Sequence, residues 1–136
     1  MKKQLTIALV AHDNRKADMV EWAVHNADML SIHKLVCTGT TGSLIRKAFQ
    51  EKGIEADITC MNSGPLGGDA EIAAMVVRKE VNLAIFLIDD LNAQPHEADI
   101  QMLLRQCRVH NVPIACNRYS ADLMITSTLW DNDDYV

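Results

Sequence analysis

The chain has 136 residues, 49% hydrophobic, 23% charged and 4% aromatic, with 13 Lys and Arg against 18 Asp and Glu and a formal charge of -5. That length can bury a core as one domain, residues 1–136, without disulfides or a structural metal. Scattered basic residues and scarce aromatics exclude a phosphate-backbone or base-stacking surface, so nucleic acid is not an expected partner, and no apolar run approaches the ~18 residues of a membrane span.

At the N-terminus, two lysines before an apolar stretch in "MKKQLTIALVAHDN" look faintly like a secretory leader. The stretch is short, contains Thr6 and runs into His12 and Asp13 without a small-residue cleavage site. "LTIALVA" (5–11) therefore reads as a first strand. A helical pattern over 15–29 follows, with Met19, Trp22, Ala23 and Asn26 recurring at helical spacing. Next come a strand at "HKLVCT" (33–38) and a helix over 42–52, with Gly53 as the residue just past its end. "ADITCM" (56–61) alternates through Asp57 and Thr59 and reads as an edge strand.

A helix over 69–80 and the strand "LAIFLID" (83–89) come next. In the helix over 99–110, Ile100, Leu103, Leu104 and Cys107 share one face and Asp99 is the expected N-cap. The strand "PIACN" (113–117) and a shorter helix capped at about Ser120 complete the order. Cys37, Cys60, Cys107 and Cys116 form no C-x-x-C pair and read as reduced, mostly buried thiols of a cytoplasmic protein.

Strict alternation of strand and helix predicts an α/β domain: three layers, with a doubly wound sheet of about five parallel strands. Ligands of such sheets bind beyond the carboxyl ends of the strands, near the point where strand order reverses. The unusual residues collect at that edge: "AHDNRK", "TGTTG", "NSGPLGGD" and "DDLNAQPHEAD" follow strands one to four.

In "CTGTTGSL" (37–44), backbone N–H groups at a helix start, helped by Thr hydroxyls, would form an anion site. Neither a Walker A loop nor a GxGxxG motif is present, and a plain Gly/Thr turn would look the same. Lys16, Ser63 and Gly64 on neighbouring loops favour a phosphate cradle. Asp69 has two readings, as a helix cap and as a ligand-facing carboxylate. Gly67 and Gly68 before it favour the second, because a cap needs neither. Asp13 carries the same two readings. His96 is either a solvated loop residue or an imidazole oriented by Asp99. His12, Asp13, His96 and Asp99 could converge on a metal, but without an H-x-x-x-H pair or a Cys partner no metal is expected. His25, His33 and His110 read as structural, and Trp22 and Trp130 as packing residues.

Together, "AHDNRK", "TGTTG", "SGPLGGD" and "LNAQPHEAD", in this order and over about residues 5–130, resemble the methylglyoxal synthase family. The resemblance implies a flavodoxin-like α/β/α domain, a homohexamer, and conversion of dihydroxyacetone phosphate to methylglyoxal without cofactor. Inorganic phosphate would be both a product and a candidate inhibitor. The resemblance also implies that Asp69 is the catalytic base and that His96, oriented by Asp99, is the electrophile at the substrate carbonyl. Lys16, Thr38, Thr40, Thr41, Ser63 and Gly64 would hold the phosphate, with His12 and Gly39 in the same binding set. Asp13 and Asp89 match acidic family positions, and Asp13 is expected to contact His96 or support the site.

There are two departures. The family often carries P-H-D-P-D where this chain has "PHEAD" (95–99). The chain also stops at "LWDNDDYV", with nothing basic after Arg118, where family members commonly continue into a helix that supplies a basic side chain to a neighbouring subunit. A non-catalytic sensor of a phosphorylated metabolite is the alternative, and it would have no use for Asp69, His96 and Asp99 together. A receiver-like domain would need an acidic residue ending strand three, where "TCMNSG" stands.

Overall fold

The computed structural model describes residues 4–131, so the last five residues of the terminal "LWDNDDYV" lie outside the described residues. Five strands form one parallel sheet: β1 (Thr6–Ala11), β2 (Lys34–Cys37), β3 (Asp57–Cys60), β4 (Leu83–Leu87) and β5 (Ile114–Ala115). Their order is β3-β2-β1-β4-β5, with Ile7 in register with Leu35 on one side and Leu83 on the other. β3 is an edge strand, as its alternation predicts.

Among the described residues six α-helices cover the sheet: α1 (Lys16–His25), α2 (Ala27–Leu30), α3 (Gly39–Glu51), α4 (Gly68–Val77), α5 (Glu97–Val109) and α6 (Arg118–Ile125). The pleat of β1 explains the two sides. Ile7 and Leu9 pack with Trp22, Ile45 and Phe49 in one core, while Ala8 and Val10 pack with Ile72, Val76 and Leu103 in the other. A strand buried on both faces must be apolar at successive positions, and this is why β1 and β4 read as unbroken apolar runs. The result is the expected three-layer, flavodoxin-like α/β/α architecture.

Several local boundaries differ from the sequence reading. The helix expected over 15–29 is two helices, broken at Asn26, whose backbone N–H and side-chain Nδ2 both donate to Trp22 O at 3.0 and 2.9 Å. A side chain that competes for the helix's own carbonyl ends it there. α3 starts at Gly39 rather than 42, so "GTTG" is its first turn rather than a loop before it. Asp99 does not cap α5, which begins two residues earlier. Ser120 does not cap α6 either: Asn117 does, its side chain accepting from Ser120 N at 2.9 Å. Gly53 does close α3, with φ +69° and Ile54 N–H reaching Phe49 O at 2.9 Å.

Trp22 is buried and donates to Asp122 Oδ1 at 2.9 Å, which ties α1 to α6. Trp130 packs against the same core. His33 is buried and accepts Leu5 N–H at 2.9 Å. All four thiols are free, and burial pushes Cys37 up to about 12 and Cys107 to about 11. Among the described residues no helix is long and apolar enough to cross a membrane.

Candidate active site

A parallel sheet delivers every strand's carboxyl end to one edge, and the order reverses between β1 and β4. His12 leaves β1 there, its backbone N–H still bonded to Leu87 O at 3.2 Å. A cleft of about 280 Å³ opens at this edge, with walls from the loops after β1, β2, β3 and β4.

The β3 loop builds one wall through its glycines. After the 3-10 turn Gly64–Leu66, Gly67 takes φ +102°, and Gly68 passes so close to the chain that a Cβ would lie 2.0 Å from Asn62 O. Only residues without a side chain permit that reversal. It places Asp69 in the first turn of α4, completely buried, with the helix cap position held by Gly67. Neither carboxylate oxygen of Asp69 has a hydrogen-bond partner, so Asp69 caps nothing. The cap reading is thereby corrected: a carboxylate inside the first turn sits beside the free N–H groups without bonding to them. Burial raises the Asp69 pKa above the ordinary carboxylate value, and His96 opposes the rise.

His96 stands at the start of α5, and its Nε2 lies 3.3 Å from Asp69 Oδ2. Gly64 makes room for the pair, since a Cβ there would meet His96 Nε2 at 2.8 Å and Asp69 Oδ1 at 3.4 Å. The contact expected between His96 and Asp99 is not made. His96 Nδ1 is buried without a partner, and only the backbone of Asp99 reaches back, to His96 O at 3.0 Å. Asp99 points its influence at Asp69 instead, as a like charge that raises its pKa.

His12 is buried, edge-on to Phe86 at 5.1 Å and to His96 at 5.7 Å between ring centroids. Its Nδ1 accepts the Asp89 N–H at 2.8 Å, and its Nε2 has no partner. Burial, then the neighbouring His96, lowers the pKa of His12, which favours the neutral ring. The Asp89 carboxylate is fully engaged, accepting from Asn92 Nδ2 at 2.8 Å, Asn14 Nδ2 at 2.9 Å and Leu91 N at 3.1 Å.

Asp13 and Lys16 before and at the start of α1, Thr38 and Thr40 at the N-terminus of α3, and Ser63 and Gly64 in the turn before α4 also line the cleft. Thr41 does not reach it: fully buried, it accepts the Thr38 hydroxyl at 3.3 Å from behind. Gly39 is a spacer, because a Cβ there would lie 2.9 Å from Met61 O on the β3 loop. Asp13 does not contact His96. Its side chain is 95% exposed and pairs with Lys16, and the hydrogen bond from Lys16 lowers its pKa.

Gln94 and Pro95, beside His96, line the cleft as well, and sequence reasoning passed over both. It also passed over Asn14 and Asn92, which carry no motif. Among the described residues no three His, Cys, Asp or Glu side chains are grouped so as to hold a metal ion.

Comparison with known proteins gives concordant findings. The MGS-like domain family matches residues 18–116. A methylglyoxal synthase of Treponema socranskii is 73% identical over 136 residues, covering 100% of this chain and 86% of that protein. A methylglyoxal synthase of Yersinia enterocolitica is 46% identical over 127 residues, 93% of this chain and 80% of that one. The crystal structure of methylglyoxal synthase from Elizabethkingia anophelis NUHP1 superimposes with a TM-score of 0.81 at 41% identity, covering 91% of this chain and 78% of that chain.

Proposed function

The chain belongs to the methylglyoxal synthase family, and from that premise we propose how its cleft works. It is a lyase that converts dihydroxyacetone phosphate to methylglyoxal and inorganic phosphate. One observation supports the assignment of roles above all others: a completely buried carboxylate, unpaired by any hydrogen bond, stands 3.3 Å from an imidazole in a cleft. A sensor of phosphorylated metabolites would have no use for such a pair.

Asp69 is the base. It takes a proton from the hydroxymethyl carbon, and the electrons of that C–H bond move into an enediolate. The proton is weakly acidic, so a raised carboxylate pKa helps by making the base stronger. His96 donates to the carbonyl oxygen as charge develops there, and His12 binds the substrate with the proton on its free nitrogen. Donors placed in advance cost no reorganisation at the moment of reaction. Triosephosphate isomerase uses the same division between a carboxylate base and a histidine that donates to the carbonyl oxygen.

The enediolate then expels phosphate as the carbon–oxygen bond breaks, leaving the enol of methylglyoxal, which tautomerises. The proton taken by Asp69 leaves with the products, so the protein ends as it began. Elimination requires the breaking C–O bond to lie parallel to the enediolate π system. A cradle of Lys16, Thr38, Thr40, Ser63, Gly64 and the N–H groups of the α3 first turn sets that torsion. Thr41 and Gly39 act from behind the cradle. As written, the reaction draws on no metal or organic cofactor.

The proposal extends to assembly and location. Residues 1–136 act as a single domain in a cytoplasmic homohexamer, with inorganic phosphate as an inhibitor. Free thiols support the location, and the exposed apolar side chains of Leu91, Tyr119 and Leu123 support assembly. The direct test is a coupled assay of phosphate and methylglyoxal release from dihydroxyacetone phosphate without added metal. Equal amounts of both are expected, and release of neither would overturn the reading.

A further inference from the structure

His12 and Asn14 lie two residues apart on the loop after β1, and both bond to the same residue across the switch point. The Asp89 backbone N–H donates to His12 Nδ1 at 2.8 Å, while the Asp89 carboxylate accepts Asn14 Nδ2 at 2.9 Å. Asn92, three residues further along the β4 loop, holds the same carboxylate oxygen as Asn14 at 2.8 Å. Leu91 N–H takes the other oxygen at 3.1 Å. Asp89 thus clips the two loops together at two points, the ring of His12 being one of them, and Arg15 adds a third link by donating from Nη1 to Ile88 O at 3.4 Å.

The donor in the first bond is an N–H, so Nδ1 must be the unprotonated nitrogen. A neutral ring in that position carries its proton on Nε2. That nitrogen is buried and has no protein acceptor, on a side chain that lines the cleft. A buried donor without a partner costs free energy, and a substrate oxygen would remove that cost. Phe86 and His96 hold the ring edge-on from two sides, so tautomer and orientation are set together.

We propose that Asn14 and Asn92 are positioning residues which, by pinning the Asp89 carboxylate, keep the Asp89 N–H on His12 Nδ1 and so reserve the His12 Nε2 proton for the substrate. The burial that favours a neutral His12 is consistent with this arrangement. Neither asparagine lines this cleft, though Asn92 borders the adjoining cavity of about 370 Å³ beside His12 and Asp89 and its backbone O accepts Gln94 Nε2 at 3.2 Å; the effect proposed here passes through Asp89 and His12. The proposal rests on the catalytic reading above, but the tautomer can be observed without it.

The test uses the full chain with isotope-labelled histidine. Nitrogen NMR of the wild type is expected to give one His12 tautomer, protonated at Nε2. The double variant Asn14→Ala/Asn92→Ala is expected to show His12 exchanging between tautomers, with kcat lower by about tenfold and KM little changed, since a misplaced donor acts mainly in the transition state. Asn92→Ala alone covers the case in which the double variant does not fold, with a smaller loss in the same direction. A wild-type His12 protonated at Nδ1 overturns the proposal. So does a variant with an unaltered His12 signal, or one with an altered signal and wild-type turnover. A wild type that makes no methylglyoxal would instead refute the catalytic reading, leaving the tautomer result to stand by itself.

Discussion

Asp69 Oδ2 lies 3.3 Å from His96 Nε2, yet neither Asp69 oxygen has a hydrogen-bond partner and the residue is completely buried. Carboxylates buried for stability are normally saturated with donors, as Asp89 is in this same protein. Asp69 is held in an environment that opposes its charge, with the nearest cation-forming group in reach but not bonded. That arrangement favours proton uptake at the expense of the fold.

Asp69→Asn should therefore separate activity from stability. The folded-state pKa of Asp69 is raised, so the protonated form is favoured by folding. The stability associated with that proton is full below the unfolded pKa and is lost as pH rises through the folded one. At neutral pH a neutral isostere removes the penalty. We expect Tm to rise by a few degrees, corresponding to about 1 kcal/mol. Turnover should fall by about 10²- to 10⁴-fold. Thermal denaturation beside the coupled assay decides the point; a lower Tm or intact turnover would contradict it.

Gly64→Ala tests the spacing of the pair. The added methyl would sit 2.8 Å from His96 Nε2, inside any real contact distance, so the imidazole must move. Because the turn lies at the surface of the cleft rather than in either core, Tm should stay within a few degrees. kcat should drop by about tenfold or more, as misplacement of a catalytic group by under an ångström implies. Retained kcat would mean that His96 tolerates displacement.

Lys16 and Asp13 should behave very differently although they pair. The Lys16 side chain is 16% exposed on the cleft wall, while that of Asp13 is 95% exposed. Lys16→Met is expected to raise KM for dihydroxyacetone phosphate by about tenfold or more, the loss of one charge-assisted contact to phosphate. Asp13→Asn, at a cleft-rim carboxylate that is almost wholly exposed to solvent, should change KM by less than about threefold. Steady-state kinetics of the two variants would reverse this assignment if Asp13→Asn proved the more damaging.

Acid stability gives an independent check on the buried histidines. Burial lowers the pKa of His33 and of His12 below the ordinary histidine value of about 6.5. For such a group, stability is present above the unfolded pKa and is lost as pH falls below it, because the unfolded chain binds the proton first. Unfolding free energy should thus decline below about pH 6.5, by about 1.4 kcal/mol per pH unit for each histidine titrating. His33→Gln keeps an acceptor for Leu5 N–H and removes the titration, so denaturant melts at several pH values should show a shallower slope. An identical slope would place His33 outside this linkage.

The strands, their order along the chain and the edge where chemistry collects were all legible, because each reflects local composition. "IALVA" (7–11) had to be apolar throughout once covered on both faces, and the glycines of "SGPLGGD" announced a close passage of backbone. Helix starts were less legible. Asp99 and Ser120 have the right chemistry for a cap, but the cap position depends on where the preceding loop releases the chain, and Asn117 won it for α6. Asn14 was invisible because an amide 75 residues from its carboxylate leaves no periodic mark, and Asn92, only three residues from Asp89, carries no motif.

From its residues alone this protein's layered α/β architecture and its family could be read, since periodicity and motif spacing are written along the chain. Asp13 and Asp69 look alike at that level: each follows a strand and precedes a helical run. Folding made them opposites. One carboxylate stands in water beside Lys16, and the other is sealed against His96, because burial is set by whatever packs against a group from distant parts of the chain.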